Sequence, residues 1–77
     1  MTSLETKITA FIQDTFGVSI QSADEPLITN GVIDSMQVLD VAMFLETVGN
    51  TTLEETDLVV ENFDTVAAMA ALVSSKG

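Results

Sequence analysis

One serine near the middle of the chain has a position that could take part in chemistry. Ser35 directly follows Asp34 and precedes Met36, at the predicted start of a helix. A serine hydroxyl acts as a nucleophile only when a neighbouring base activates it. The sequence contains no His, and its only basic residues are Lys7 and Lys76, so Ser35 lacks such a base. Its hydroxyl could instead accept a group attached by another enzyme.

The start of a helix suits an attached phosphate. Its free N–H groups and the positive end of the helix dipole both favour an anion. A serine at a helix start is also a common N-cap, which requires no function. The position is thus compatible with a phosphodiester, and the bare cap stays open as an alternative.

The composition excludes several classes of protein. The 77 residues, 1 to 77, are enough for one domain and contain neither Cys nor His. Disulfides, thiolate metal sites and the usual catalytic triads are excluded. The acidic run Glu54, Glu55 and Asp57 lacks the spacing of a calcium-binding loop and is read as a solvated turn. We expect no enzyme activity, no catalytic residues and no metal site.

The net charge limits the kinds of partner that the protein can bind. With 12 acidic and 2 basic residues the net charge is −10, and residues 8 to 75 hold no base. Nucleic acids and anionic membrane surfaces would be repelled, whereas proteins with basic patches would be attracted. Because 47% of the residues are hydrophobic, we expect a folded domain. No signal peptide or membrane span is visible, so we expect a cytoplasmic protein.

The predicted fold is all-α, a small bundle of three to four helices with a long loop between the first and second helices. Helices are expected from about Ser3 to Phe16, over residues 35 to 48, and from near Asp64 onward. Asp64 is the predicted N-cap of the last helix, and Phe63 before it the apolar residue of a hydrophobic staple. A short helical turn is expected over residues 54 to 58.

Apolar residues at helical spacing predict the core. Further apolar residues are expected to anchor the loop of residues 17 to 34 and the acidic segment of residues 50 to 63. The predicted set is Leu4, Ile8, Phe11, Ile12, Thr15, Val18, Ile20, Leu27, Ile28, Val32, Ile33, Val38, Val41, Ala42, Leu45, Val48, Leu53, Leu58, Val59, Val60, Val66, Met69, Ala70 and Val73.

The second helix has an additional apolar stripe that a small bundle does not need. Met36, Leu39 and Met43 fall on the side opposite its core-facing residues, with the carboxylates Asp40 and Glu46 among them. A surface helix in a small bundle normally carries one apolar stripe. Either Leu39 or Met43 packs under the long loop, or the stripe is a docking face with an acidic rim.

The segment around Ser35 resembles the modification motif of the acyl and peptidyl (aminoacyl) carrier proteins. That motif has a Gly three residues before an Asp-Ser pair, then an apolar residue that opens a helix. Residues 61 to 66 resemble the start of the family's last helix, and the similarity spans about residues 4 to 73. The matching residues around the serine are Gly31, Val32, Ile33, Asp34, Ser35, Met36, Val38, Leu39, Val41, Leu45 and Glu46.

The resemblance implies that Ser35 is esterified with 4'-phosphopantetheine from coenzyme A by a phosphopantetheinyl transferase. The thiol of that arm would carry an acyl or aminoacyl group as a thioester, and Asp34 would help to present Ser35. A loading (adenylating) enzyme and downstream transferase, condensing or tailoring enzymes with basic patches are the implied partners. They would dock on the second helix, at Met36, Leu39, Asp40, Met43 and Glu46.

Two departures point away from primary fatty-acid synthesis. Fatty-acid members tend to have an acidic residue where this chain has Gln37, and Ala where it has Ile33. The motif is more similar to nonribosomal-peptide, D-alanyl or polyketide-type carriers. We expect a free-standing, monomeric carrier that delivers its cargo to biosynthetic enzymes. The alternative is an unmodified acidic interaction module that docks through the second helix.

Overall fold

The computed structural model describes residues 3 to 76, and within that range the chain is helical and contains no strand. Four helices follow in order, α1 (Ser3–Phe16), α2 (Ser35–Gly49), α3 (Val60–Phe63) and α4 (Val66–Lys76), with a 3₁₀ turn (Glu55–Asp57) between α2 and α3. The all-α bundle with a long connection between the first two helices is thereby confirmed. The short turn expected near residue 56 is confirmed too.

Helix α1 packs through a stripe centred on Ile8 and Ile12, both fully buried. Thr9 is buried beside them, which the sequence pattern did not predict. Thr15 was expected on the buried face, but it is exposed. It lies at the edge of the stripe, beside the half-buried Phe11, where α1 meets α2. Gly17 ends the helix with a φ of 67°, a left-handed conformation that Gly adopts without strain.

The core forms where α1, α2 and α4 meet, and the loop before α2 contributes to it. In α2 the buried residues are Val41, Ala42 and Leu45, as predicted, whereas Val38 and Val48, also expected on this face, are only half-buried. All four residues predicted for the last helix are buried. The buried apolar residues are Ile8, Ile12, Ile20, Leu27, Ile33, Val41, Ala42, Leu45, Phe63, Val66, Met69, Ala70 and Val73.

The predicted start of the last helix is wrong. Helix α4 begins at Val66, and the hydroxyl of Thr65 accepts a hydrogen bond from the Ala68 N–H at 3.0 Å, as an N-cap does. Asp64 instead follows α3, and its carboxylate binds the loop before α2. Phe63 is fully buried, but it ends α3 and is therefore not the staple of α4.

The segment between α2 and α4 also differs from the prediction. Leu53 packs against the core, but Leu58, Val59 and Val60 are exposed and are not anchors. The segment is fixed by other contacts. Phe63 is buried, the Asn62 side chain donates to the Asp57 carbonyl, and Lys76 pairs with the Asp57 carboxylate at 2.6 Å. The four-residue helix α3 was not predicted, because its apolar residues follow no helical stripe.

Candidate functional site

Ser35 is the first residue of α2, and its side chain is exposed. The cap of the helix is Asp34, whose carboxylate accepts the Gln37 N–H at 2.9 Å. The Gln37 side chain in turn accepts the Asp34 N–H at 2.9 Å, which completes a capping box. Because Asp34 is the cap, the Ser35 hydroxyl is not needed to begin the helix. The alternative in which Ser35 is merely the cap is therefore wrong.

A tight turn delivers Asp34 and Ser35 to the surface. Leu27 is fully buried, and its carbonyl accepts hydrogen bonds from the N–H groups of Val32 at 2.7 Å and Ile33 at 3.2 Å. Gly31 lies within this turn at a φ of 74°, which L side chains rarely adopt. Ile33 is almost completely buried immediately before the cap. The position of Ser35 is thus fixed by buried residues on the loop side.

Asp64 ties the same loop to the end of α3. Its Oδ1 accepts the N–H groups of Ile28 and Thr29, each at 2.9 Å, and its Oδ2 accepts the Thr29 hydroxyl at 2.7 Å. Its backbone carbonyl accepts the Leu27 N–H at 2.6 Å. The hydrogen bonds from Thr29, with a smaller one from Ile28, hold the pKa of the Asp64 carboxyl below its ordinary value. The carboxylate therefore supports the loop that carries Ser35.

A small apolar cleft opens beside Ser35. Its volume is about 110 Å³, and Ser35 supplies the one hydroxyl among its lining side chains. The other lining residues come from the loop, from α2 and from the segment before α3. They are Ile28, Val38, Leu58, Val59 and Val60. The exposed residues Leu58 to Val60 thus form one wall of the cleft.

The second apolar stripe of α2 faces solvent. Met36 is 74% exposed, Leu39 53% and Met43 63%. The alternative in which Leu39 or Met43 packs under the long loop is wrong, since loop burial is provided by Ile20, Leu27 and Ile33. The exposed stripe is the observation expected of a docking surface.

Asp40 and Glu46, the two carboxylates predicted beside the apolar stripe of α2, differ in their exposure and in their hydrogen bonds. Asp40 is exposed, and its carboxylate makes no hydrogen bond or ion pair within residues 3 to 76. Glu46 is half-buried, and its Oε2 accepts the Leu53 N–H at 2.8 Å. Glu46 therefore also holds the chain that leaves α2, a role that the sequence pattern did not indicate. A groove of about 360 Å³ runs beside it, lined by Leu39, Ala42, Met43, Glu46, Leu53 and Leu58.

Sequence reasoning missed that Leu58, Val59 and Val60 belong to the exposed apolar surface. The available signal was three consecutive apolar residues after an acidic turn, with no helical period to bury them. The Lys76–Asp57 ion pair holds the turn before them against the end of α4. The hydrogen bond between the two side chains of this ion pair lowers the pKa of Asp57 and raises the pKa of Lys76. The ion pair thus supports the start of the segment that forms the cleft wall.

The side chains that line the cleft with Ser35 are all apolar, so none of them is a base. No His exists in the chain, and Lys76 is paired with Asp57. Across residues 3 to 76, no cluster of three or more acidic side chains is placed to hold a metal ion. In the same range, no helix combines the length and apolar character that crossing a bilayer requires.

Comparison of the sequence with protein-family models and with curated protein sequences finds no match. The function must therefore be inferred from the residues around Ser35 and from their geometry.

Proposed function

We propose that this protein is a carrier that is modified with 4'-phosphopantetheine at Ser35 and presents an acyl or aminoacyl group to partner enzymes. One observation carries the proposal. Ser35 stands exposed at the first position of α2, outside the capping box and at the rim of an apolar cleft. The motif around Ser35, which resembles that of carrier proteins, supports the same function.

The residues around Ser35 fit a phosphodiester. The N–H groups of Ser35 and Met36 have no acceptor within residues 3 to 76, since the Gln37 and Val38 N–H groups are the first to bind Asp34. These two free donors lie at the positive end of α2, where an anion is favoured. When attached, the arm would supply a terminal thiol that holds the cargo as a thioester. The chain itself contains no thiol.

The remaining residues have positioning and docking roles in this proposal. Asp34 fixes the start of α2 and leaves the Ser35 hydroxyl open to the transferase. Met36, Leu39 and Met43 would bury their exposed area against a partner, and Asp40 would pair with its basic residues. Glu46 contributes to the groove wall through its hold on Leu53. The same surface would serve the transferase, the loading enzyme and the downstream enzymes, in the cytoplasm.

The carrier needs no catalytic residue under this proposal. A group on a short flexible tether is held near its partner at an effective concentration on the order of millimolar. Gln37 and Ile33, which replace the residues typical of fatty-acid carriers, favour a nonribosomal-peptide or polyketide type of pathway. No charged side chain lines the cleft at Ser35, so the loading enzyme selects the cargo.

The test is an intact-mass measurement. The unmodified protein is incubated with coenzyme A and a broad-specificity transferase, with Ser35→Ala as the matched variant. We expect the parent chain to gain one phosphopantetheine and the variant none. Because Ser35 is exposed and is not the cap, Ser35→Ala should keep the helical circular dichroism of the parent. No gain by the parent, or an equal gain by the variant, would refute the proposal.

The exposed face of α2 also favours a second candidate, an unmodified acidic interaction module. This candidate uses Met36, Leu39 and Met43 but does not use the Ser35 hydroxyl. It predicts that Ser35→Ala leaves the cellular function intact, whereas Met43→Glu abolishes it. The carrier proposal predicts that both variants lose function, so complementation with the two variants separates the candidates.

A further inference from the structure

A second groove lies on the opposite flank of α2, between α1 and α2. Its volume is about 470 Å³, and Ser35 is not part of it. Met43 stands on the ridge that separates it from the groove beside Leu53, because Met43 lines both. The lining residues are Phe11, Thr15, Asp40, Met43, Phe44 and Thr47.

The floor of this groove, here called the α1–α2 groove, is aromatic. The rings of Phe11 and Phe44 are stacked, with centroids 4.2 Å apart and planes 12° from parallel. Phe16 meets Phe11 edge-on at 6.2 Å. Phe11, Phe16 and Phe44 are only half-buried, whereas Phe63, the fourth Phe of the chain, is fully buried in the core. Partly exposed aromatic side chains are enriched at protein interfaces, where a partner completes their burial.

The charge around the α1–α2 groove selects the chemistry of the occupant. Asp40 is exposed at its edge and is unpaired within the described residues. No basic side chain occurs from residue 8 to residue 75, and the net charge is −10. A second copy of this chain would bring the same charge and be repelled. A partner segment with Lys or Arg would be attracted, and its cation could also contact an aromatic face.

We propose that the α1–α2 groove binds an amphipathic helical segment of a basic partner protein. An apolar side chain of that segment would cover Phe11 and Phe44, and a Lys or Arg beside it would pair with Asp40. The α1–α2 groove shares Asp40 and Met43 with the docking face of α2, extends it onto α1, and does not include the cleft at Ser35. A partner in the groove would leave Ser35 itself uncovered, and it would compete with enzymes that dock through Asp40 or Met43.

The test uses nuclear magnetic resonance on the ¹⁵N-labelled, unmodified protein. The probe is a synthetic helical peptide of Leu and Lys with one apolar face, and a Leu–Glu peptide of the same pattern is its control. We expect the Leu–Lys peptide to shift the amide signals of Phe11, Thr15, Asp40 and Thr47, and the Leu–Glu peptide to leave them in place. Shifts confined to Leu39, Leu53 and Leu58 would overturn the proposal.

Matched variants of α1 sharpen the test. Thr15→Arg places a cation and bulk in the groove, whereas Ala10→Arg adds the same side chain at an exposed position of α1 outside it. We expect Thr15→Arg to weaken binding of the Leu–Lys peptide by at least about fivefold, because two cations would meet in the groove. Ala10→Arg should have less than half of that effect on peptide binding. Asp40→Asn should weaken it as well. Equal effects of the two arginine variants would contradict the proposal.

Two further controls separate this inference from its neighbours. The experiment requires no attached arm, so Ser35→Ala should bind the peptide as the parent does even if Ser35 is never modified. Sedimentation velocity over a range of protein concentrations addresses the second copy. We expect a monomer throughout, and a dimer that protects the groove signals without peptide would overturn the partner assignment.

Discussion

The carboxylate of Asp64 holds Thr29, which lies 35 residues earlier in the chain, through two hydrogen bonds. Oδ1 accepts the Thr29 N–H at 2.9 Å, and Oδ2 accepts its hydroxyl at 2.7 Å. Thr29 belongs to the loop before α2, and the turn that follows it in this loop leads to Ser35. The loop before α2 is thus attached to the end of α3, and the position of Ser35 depends on that attachment.

Acid should weaken this attachment. The pKa of Asp64 is lower in the folded chain than in the unfolded chain, where it is about 4, so its stabilising effect is present above that value. It is lost as the pH falls through the folded pKa. Asp64→Asn should therefore lose less stability than the parent between about pH 5 and pH 3, measured by urea unfolding.

The control is Asp24→Asn, in an exposed loop position whose carboxylate binds nothing in the described range. It should follow the acid dependence of the parent. The Asp64→Asn variant should also be less stable than the parent at pH 7, by about 1–3 kcal/mol, because loop donors lose a charged acceptor. Parallel acid curves for Asp64→Asn and the parent would contradict the role of Asp64.

A close approach of α2 and α4 occurs at Gly49. A Cβ at this position would clash with the Cγ1 of Val73, which is buried in α4. Although Ala favours a helix by about 1 kcal/mol over Gly, Gly49→Ala should destabilise the fold by about 1–3 kcal/mol through overpacking. Thermal or urea unfolding measures the change. Adding Val73→Ala should recover part of the loss, and strictly additive effects would contradict the clash.

The apolar face of α2 should contribute to binding and little to folding. Leu39→Glu and Met43→Glu replace exposed side chains, so each should change the free energy of unfolding by no more than about 0.5 kcal/mol. The buried Leu45 on the same helix is the control, and Leu45→Ala should lose about 2–5 kcal/mol. A loss of that size at Leu39 or Met43 would show that these side chains support the fold.

The dense negative charge should make the stability depend on salt. Only Lys7 and Lys76 oppose 12 carboxyl side chains, and Lys76 already pairs with Asp57. Salt screens the remaining repulsion, so the Tm should rise from low to moderate ionic strength. Differential scanning fluorimetry over a salt series measures it. A constant Tm would mean that the carboxylates are too far apart to destabilise the fold.

The sequence was sufficient for the features that depend on local rules. Helical spacing predicted α1, the buried face of α4, and the buried centre and exposed stripe of α2. The start of α2 was predicted because a short polar side chain at a helix start satisfies free N–H groups, although the cap is Asp34 and not Ser35. Each of these features is decided by residues within a few positions of one another.

Features that depend on distant partners were not predictable in this way. The sequence pattern predicted Asp64 as the cap of the last helix. Its carboxylate instead accepts three hydrogen bonds from Ile28 and Thr29, in a loop about 35 residues earlier, and the sequence does not reveal such a distant partner. The Leu58–Val60 run was expected to anchor the fold, but these side chains are exposed, and Phe63 and Leu53 pack against the core instead. The sequence pattern likewise indicated only a docking role for Glu46, because it does not reveal that the Glu46 carboxylate accepts a hydrogen bond from the Leu53 N–H.

The most direct test of the account is the location of the modification. After incubation with coenzyme A and a transferase, the protein is digested and the modified peptide is sequenced by tandem mass spectrometry. We predict phosphopantetheine on Ser35 and on none of the other serines, including the exposed Ser19, Ser22, Ser74 and Ser75. Attachment at any other serine, or an unmodified Ser35 peptide under conditions that load a known carrier, would contradict the proposed function.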